Sequence, residues 1–117
     1  MGDAIPEPLV AAGSAERGRA LLVARAKANC ALCHAIPDPA IPFAGNVGPS
    51  LAGVGARLSA GQIRLRVADN MRVNADTIMP SYYRSNGFDR VAQAYRNRTI
   101  LSAQEVEDLV SYLVTLQ

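Results

Sequence analysis

The sequence contains no tryptophan, and aromatic residues make up only 5% of it. Large rings usually anchor a protein core, so we expect a group other than these side chains to help fill the middle of the fold. Long apolar runs are also missing, because no stretch approaches the roughly 20 residues that a membrane helix needs. We therefore predict no membrane span.

Charge of either sign is limited, with 12 basic and 10 acidic residues and a formal net charge of +2. This excess is too small to indicate nucleic-acid binding. Most of the arginines lie between residues 57 and 98. The overall balance, 50% hydrophobic and 19% charged, excludes intrinsic disorder.

The length of 117 residues suffices for one compact domain and is too short for two. Pro6, Pro8 and Gly13 predict an extended arm over residues 1–13, which leaves one domain over 14–117. The first residues show no basic segment followed by an apolar one, so we expect any export signal to have been removed already.

Helix signals are clear near the start and the middle of the chain. Ser14 is a plausible N-cap for a first helix that continues towards Asn29. Ser59 and Gln62 form a capping box that begins a second helix. The positions at helical spacing are Leu21, Leu22, Arg25 and Ala28 in the first helix, and Ile63, Val67 and Met71 in the second.

Two further helices are expected in the last third of the chain. Residues 88–95 predict a short third helix, and Ser102 with Glu105 forms the capping box of a last one. The apolar positions are Val91, Ala92 and Tyr95 in the third helix, and Val106, Leu109, Val110, Leu113 and Leu116 in the last. No segment alternates with period two, so the predicted fold class is all-α.

Residues 36–55 are rich in proline and glycine, which interrupt both helix and strand. We interpret them as one long ordered loop. A loop of this length without secondary structure is uncommon in a compact domain unless it is functional. We therefore expect it to wrap a bound group.

The chemistry of the chain is concentrated in residues 30–34, a C-x-x-C-H motif that holds both cysteines and the only histidine. This pattern is typical of c-type haem attachment, in which two thiols bind the vinyl groups and the histidine coordinates iron. The motif predicts a covalently bound haem on Cys30 and Cys33, with His34 as the proximal ligand. The other ring nitrogen of His34 then needs an acceptor, and a loop carbonyl is suitable.

Three other interpretations of the motif remain as alternatives. A thioredoxin-like redox pair belongs in a βαβ unit, and no strand is predicted here. A structural zinc needs four ligands, and two cysteines with one histidine leave the fourth to a distant carboxylate. A disulfide between such close cysteines closes too short a loop to stabilise the fold much.

The distal ligand has to be sought among other residue types, because no second histidine exists. Met1 lies on the arm, and Met71 falls on the apolar face of the second predicted helix, where a core role is more usual for methionine. Met79 precedes Pro80 in irregular chain, where a side chain can be directed across the haem. We predict Met79 as the distal ligand, and His/Met coordination favours electron transfer because it leaves no open position on iron.

Residues 45–57, placed between C-x-x-C-H and Met-Pro, resemble the corresponding segment of class I cytochromes c. The resemblance implies three roles in haem binding. Pro49 offers its carbonyl to the proximal histidine, Leu51 packs on the haem ring, and Arg57 lies near a propionate. Without the resemblance, Pro49 reads as a turn residue and Arg57 as a solvated charge.

The class I resemblance also implies an architecture of three to five helices around one haem. The first and last helices of that family cross at a small residue. Gly18 is the candidate here, facing Leu109 and Tyr112. A glycine inside a helix otherwise costs about 1 kcal/mol.

Four segments together resemble the SoxX family, the monohaem subunits of SoxAX cytochromes. They are residues 29–37, 45–51, 78–83 and 101–113. The resemblance implies a periplasmic heterodimer with a SoxA-like haem subunit, transient contact with the carrier SoxYZ, and a downstream acceptor cytochrome. We expect the arginines between Arg57 and Arg98 to help steer or hold an acidic patch on the SoxA-like subunit. SoxAX is an L-cysteine S-thiosulfotransferase that joins thiosulfate oxidatively to a cysteine of SoxYZ, and SoxX accepts the released electrons.

Because both cysteines are used for haem attachment, no nucleophilic cysteine remains, and we expect no active site on this chain alone. A free periplasmic monohaem shuttle remains the main alternative, and a ligand sensor or peroxidase is a second one. A fixed subunit is expected to present an apolar surface near the haem edge, whereas a shuttle uses a small charged ring. Tyr82, Tyr83 and Phe88 are candidates for that surface. For the two tyrosines, core packing or contact with a haem propionate is the alternative role.

Overall fold

A computed structural model describes residues 3–24, 27–41, 44–83 and 99–117. The helices in these ranges are α1 (Ala15–Leu21), α2 (Val54–Arg57), α3 (Ala60–Asp69) and α4 (Ala103–Leu113), with 3-10 turns at Cys30–Leu32 and Asn70–Arg72. These ranges contain no strand, in agreement with the all-α prediction. None of their helices is long and apolar enough to cross a membrane. The predicted helix 88–95 lies outside the described residues.

Helices α1 and α4 cross at Gly18, as expected. A Cβ atom at this position would lie 1.9 Å from the carbonyl oxygen of Asp108 and 3.0 Å from the amide nitrogen of Leu109. The α4 backbone therefore occupies the space that any other side chain would need. The cost of a glycine inside a helix is offset by this close approach of the two helices.

Helix α4 begins at the predicted capping box. The Ser102 hydroxyl accepts from the Glu105 amide at 3.1 Å, and the Glu105 carboxylate accepts from the Ser102 amide at 2.9 Å. The apolar stripe of α4 is buried, and removal of a leucine side chain from water contributes about 1.5–3 kcal/mol. The core cluster contains Leu22, Ala28, Ala31, Ile36, Val54, Ile63, Val67, Tyr82, Leu101, Val106, Leu109, Val110, Tyr112 and Leu113.

Helix α3 also starts at its predicted capping box, but it ends before Met71. The helix stops at Asp69, and Asn70–Arg72 forms a tighter 3-10 turn. Such turns are common at helix ends, where they satisfy the last backbone groups. Met71 is consequently half-buried in a turn and does not extend the apolar face of the helix.

The first helix is shorter than predicted, because it ends at Leu21 and does not continue towards Asn29. The carbonyl of Leu21 accepts from the Asn29 amide at 3.3 Å, and the carbonyl of Leu22 accepts from Ala31 at 3.0 Å. These bonds fold the chain back on itself, and Asn29 adopts the left-handed conformation with φ 46°. Leu22 and Ala28 are nevertheless buried, as their spacing indicated.

The described part of the N-terminal arm, residues 3–13, contains no helix and lies against α3 and α4. The Arg64 guanidinium donates to the carbonyl of Ile5 at 2.8 Å, and the Glu107 carboxylate accepts from the Leu9 amide at 3.1 Å. The Gln104 amide donates to the carbonyl of Ala12 at 2.7 Å. The arm is thus held along its length by side chains of both helices.

Candidate functional site

The C-x-x-C-H segment forms one tight turn, which comes after the chain segment that leads out of α1. The amides of Cys33 and His34 both donate to the carbonyl of Cys30, at 3.1 and 2.9 Å. Cys30 and Cys33 are free thiols, and both are half-buried. The turn therefore groups two thiols and an imidazole within five residues.

The environment of Cys30 does not favour a redox-active thiolate. Burial raises the pKa of the Cys30 thiol to about 12. Catalytic C-x-x-C pairs depend on a thiol whose pKa is lowered. The thioredoxin-like alternative is therefore disfavoured by the chemistry of the site. Among the described residues, no group of three or more His, Cys, Asp and Glu side chains is arranged to hold a metal ion.

The His34 ring is oriented by the loop that follows it. Its Nδ1 lies 2.6 Å from the carbonyl oxygen of Pro49, and a carbonyl can only accept, so Nδ1 carries the hydrogen. In the neutral ring Nε2 then carries no hydrogen and is the nitrogen that is able to coordinate a metal. Backbone bonds fasten the loop to the motif, from Gly45 to Ala31 at 2.9 Å and from Gly48 to Cys33 at 2.7 Å, and a further bond joins Leu51 to Ala35 at 2.9 Å.

Gly48 lies directly against the imidazole. A Cβ atom at this position would come within 2.4 Å of Cε1 and 2.8 Å of Nδ1 of His34. The lack of a side chain lets the loop approach the ring closely enough for the Pro49 carbonyl to reach it. The glycine-rich composition of this loop therefore has a direct consequence for the site.

Met79 is half-buried and packs against the hydrophobic core, whereas its neighbour Ile78 is 79% exposed. The chain after Met79 returns to the C-x-x-C-H region through Tyr82. The buried Tyr82 hydroxyl donates to the carbonyl of Ala28 at 2.7 Å, and burial raises its pKa. Tyr82 is therefore a core residue, and Tyr83 is 37% exposed.

The remaining predicted site residues support the loop. Leu51 is half-buried against the core. Arg57 donates to the carbonyls of Ala52 and Ser50, so it ties α2 to the loop that contains Pro49. Phe88 lies outside the described residues.

The expectation that the arginines between Arg57 and Arg98 help to hold a partner is wrong for Arg64. This residue is 4% exposed and pairs inside the protein with Glu107. Arg72 is exposed, and Arg66 is half-buried and donates to the carbonyls of Asp3 and Gln62. Arg84, Arg90, Arg96 and Arg98 lie outside the described residues.

Asp38 is a site neighbour that the sequence patterns did not indicate. It accepts from the Arg19 guanidinium of α1 and, at 3.3 Å, from the Tyr112 hydroxyl of α4. The hydrogen bonds from Arg19 and from the Ala40 amide lower the pKa of Asp38 to about 2. The loop just after His34 is thereby attached to the α1–α4 crossing. These residues are distant in sequence and follow no local motif.

The donor set fits a c-type haem. The C-x-x-C-H turn offers two free thiols and an imidazole whose Nδ1 is bonded to the Pro49 carbonyl, and Met79 carries a half-buried thioether on another loop. Thiols suit thioether attachment, and imidazole with thioether suits axial iron coordination.

Comparison with known proteins supports the same conclusion. The family model "Cytochrome c" matches residues 15–117. A chain in the crystal structure of SoxXA from P. pantotrophus is 34% identical, with a TM-score of 0.90, and the match covers 99% of this chain and 91% of that one. A search of curated proteins found no match. The chain therefore belongs to the cytochrome c family, as an all-α class I cytochrome of the SoxX type with a covalently bound haem c.

Proposed function

We propose that this chain is the periplasmic electron-transfer subunit of a SoxAX-type complex. In this role it accepts electrons released when thiosulfate is joined to a cysteine of the carrier SoxYZ. The observation that carries the proposal is the match to a chain of the SoxXA structure, which extends over 99% of this chain at 34% identity. A match of this extent includes the loops around the candidate site as well as the helices.

The residues of this chain have distinct tasks in the proposal. Cys30 and Cys33 attach the haem, His34 is the proximal ligand, and Met79 is the distal ligand. The bound haem supplies a one-electron iron couple. The Pro49 carbonyl holds the His34 ring in the tautomer that leaves Nε2 for iron, and a Met79 thioether raises the reduction potential.

The electron balance requires a second protein. Joining a thiol to thiosulfate forms one sulfur–sulfur bond and releases two electrons and the thiol proton, and a single haem accepts one electron. Because Cys30 and Cys33 are both used for attachment, the reacting cysteine lies on another chain. A SoxA-like haem subunit supplies the partner redox centre, and a downstream cytochrome removes the electrons.

Exposed apolar side chains lie on the C-x-x-C-H turn, on the loop that follows it and beside Met79. Leu32 is 67% exposed, Val47 is 65% exposed and Ile78 is 79% exposed. The Leu32 turn and the Val47 loop are adjacent, because the amides of Gly45 and Gly48 donate to the carbonyls on either side of Leu32. Apolar groups form the core of stable interfaces. This arrangement favours a fixed partner over a free shuttle.

The test is thiosulfate-dependent reduction of the haem-loaded protein, followed optically. We expect no rapid reduction by thiosulfate alone, and rapid reduction when a SoxA-like partner and SoxYZ are added. Replacement of Leu32 and Val47 by Ser weakens binding to the SoxA-like partner, whereas Val23→Ser, an exposed apolar residue outside both loops, leaves it unchanged. Rapid reduction without a partner contradicts the proposal. Failure to bind any SoxA-like protein favours the free shuttle.

A further inference from the structure

The segment that carries Met79 is attached to the C-terminal end of α3 at two points. The first attachment lies just before Met79 in the sequence. The Thr77 hydroxyl accepts from the side-chain amide of Asn70 at 2.9 Å. The same hydroxyl accepts from the backbone amide of Met79 at 3.1 Å. Asn70 is the C-cap of α3. The backbone of Met79 is therefore linked to the helix end through one threonine.

The second attachment lies just after Met79 in the sequence. The Ser81 hydroxyl donates to a carboxylate oxygen of Asp69, the last residue of α3, at 2.7 Å. Ser81 is 1% exposed, so loss of this bond leaves a buried polar group to be satisfied again. The amides of Tyr82 and Tyr83 then donate to α3 carbonyls, at 3.3 and 2.9 Å.

Only three residues separate the two attachment points. Each residue spans at most about 3.3–3.6 Å, so a segment tied at Thr77 and at Ser81 has little slack. Helix α3 itself is held by buried residues, among them Ile63 and Leu65. A large displacement of Met79 therefore requires at least one of the two attachments to break.

We propose that Asp69 and Asn70 are positioning residues for Met79, which they hold in place from both sides through Ser81 and Thr77. The inference rests on the proposed role of Met79 as the distal ligand. Neither residue touches the iron position in this account. Their effect is to raise the free energy of the state in which the thioether is detached, so that the distal position stays closed to other ligands.

Imidazole binding to the ferric haem-loaded protein measures this effect, because imidazole has to displace the distal ligand. The apparent affinity is proportional to the fraction of protein with that position open. We expect Ser81→Ala to raise the affinity for imidazole about 3- to 10-fold, the equilibrium effect of one lost hydrogen bond. Thr77→Val removes two hydrogen bonds and should raise the affinity at least as much. Ser14→Ala removes the cap bond to the Arg17 amide of α1 and serves as the matched control, with wild-type affinity expected.

The two proposals fail in different ways. Met79→Ala should abolish the methionine–iron absorption band and raise imidazole affinity more than any other variant. If Met79→Ala leaves the band intact, the ligand assignment is wrong. If Met79→Ala behaves as expected while Ser81→Ala and Thr77→Val match Ser14→Ala, the positioning role of α3 is overturned. Thr77→Val, which is nearly isosteric, provides the answer if Ser81→Ala does not fold.

Discussion

Arg64 of α3 and Glu107 of α4 form a two-point ion pair inside the protein. The Arg64 Nε and Nη2 atoms lie 2.7 and 2.9 Å from the two carboxylate oxygens, and both side chains are 5% exposed. The same two residues bind the arm, through the carbonyl of Ile5 and the amide of Leu9. One buried pair thus joins two helices and the arm.

Removal of one partner from this pair should destabilise the protein strongly. Arg64→Met leaves the Glu107 carboxylate buried without its cation, and we expect a loss of about 3–5 kcal/mol in the free energy of unfolding. Urea unfolding of the haem-loaded protein measures it. The double variant Arg64→Met with Glu107→Leu should lose less than the single variant, because no uncompensated charge remains. Equal or larger losses in the double variant contradict this account.

The close crossing of α1 and α4 predicts that alanine in place of Gly18 destabilises the protein. In an open helix position, replacement of glycine by alanine stabilises by about 1 kcal/mol. Gly18→Ala should instead destabilise by about 1–3 kcal/mol, because the new Cβ meets the Asp108 carbonyl oxygen at 1.9 Å. Thermal and urea unfolding give the sign of the change. Ala20→Gly, at an exposed position of α1, is the control and should cost only the propensity difference.

Asp38 should make stability depend on pH in the acid range. Its folded pKa of about 2 lies below its ordinary value of 3.8, so its contribution is present above about pH 4 and is lost as the pH falls towards 2. Asp38→Asn should therefore be less stable than the wild type near neutral pH, and the difference should shrink between about pH 4 and 2. Urea unfolding at several pH values tests this.

A matched variant checks the cause of that pH dependence. The groups that face the Asp38 carboxylate are the Arg19 guanidinium, the Tyr112 hydroxyl and the Ala40 amide. Arg19→Gln should remove most of the dependence, because the bonds from Arg19 are the largest cause of the lowered pKa. A wild-type acid profile in Arg19→Gln would assign the effect to another group.

Even a methyl side chain at position 48 should disturb the His34 ring. Gly48→Ala places a Cβ within 2.4 Å of the His34 ring, which displaces the imidazole or lengthens its bond to Pro49. Loss of such outer hydrogen bonds typically weakens metal ligation about 10- to 100-fold. Acid titration of the ferric optical spectrum should show His34 released at higher pH. Asn46→Ala, at an exposed position of the same loop, should titrate as the wild type.

Covalent attachment of the haem should depend on Cys30 and Cys33. Acid–acetone extraction of the denatured wild-type protein should release no haem. Cys30→Ala or Cys33→Ala should each keep at most one thioether, and the double variant should release all its haem into the solvent. Release of haem from the wild type would exclude thioether attachment through these residues.

Local patterns in the sequence were sufficient for several features. Capping boxes at Ser59 and Ser102 involve residues three positions apart, so their geometry depends on the immediate chain and is visible without a fold. The apolar stripe of α4 is equally local, and Val106, Leu109, Val110 and Leu113 are buried as predicted. Leu116, the last predicted position of the stripe, lies beyond the end of the helix and is half-buried. The C-x-x-C-H motif is contiguous, so its residue types and their spacing are enough to predict its chemistry.

The end of α1 shows where local reasoning was insufficient. Helical spacing favoured continuation towards Asn29, but the carbonyls of Leu21 and Leu22 bond to amides eight and nine residues ahead. A helix needs those carbonyls for amides four residues ahead. The return of the chain to bury Ala28 and place Cys30 therefore outweighs helix propensity, and this competition depends on the packed core.

The pairings that hold the site in place were decided only by the tertiary structure. Asp38 meets Tyr112 across 74 positions, Arg64 meets Glu107 across 43, and Ser81 meets Asp69 across 12. Each pair joins charged or polar groups whose types are common on any protein surface, so no periodicity marks them in advance. The crossing at Gly18 and the burial of α3 bring these groups together, and burial then makes their hydrogen bonds necessary because water is no longer available as a partner.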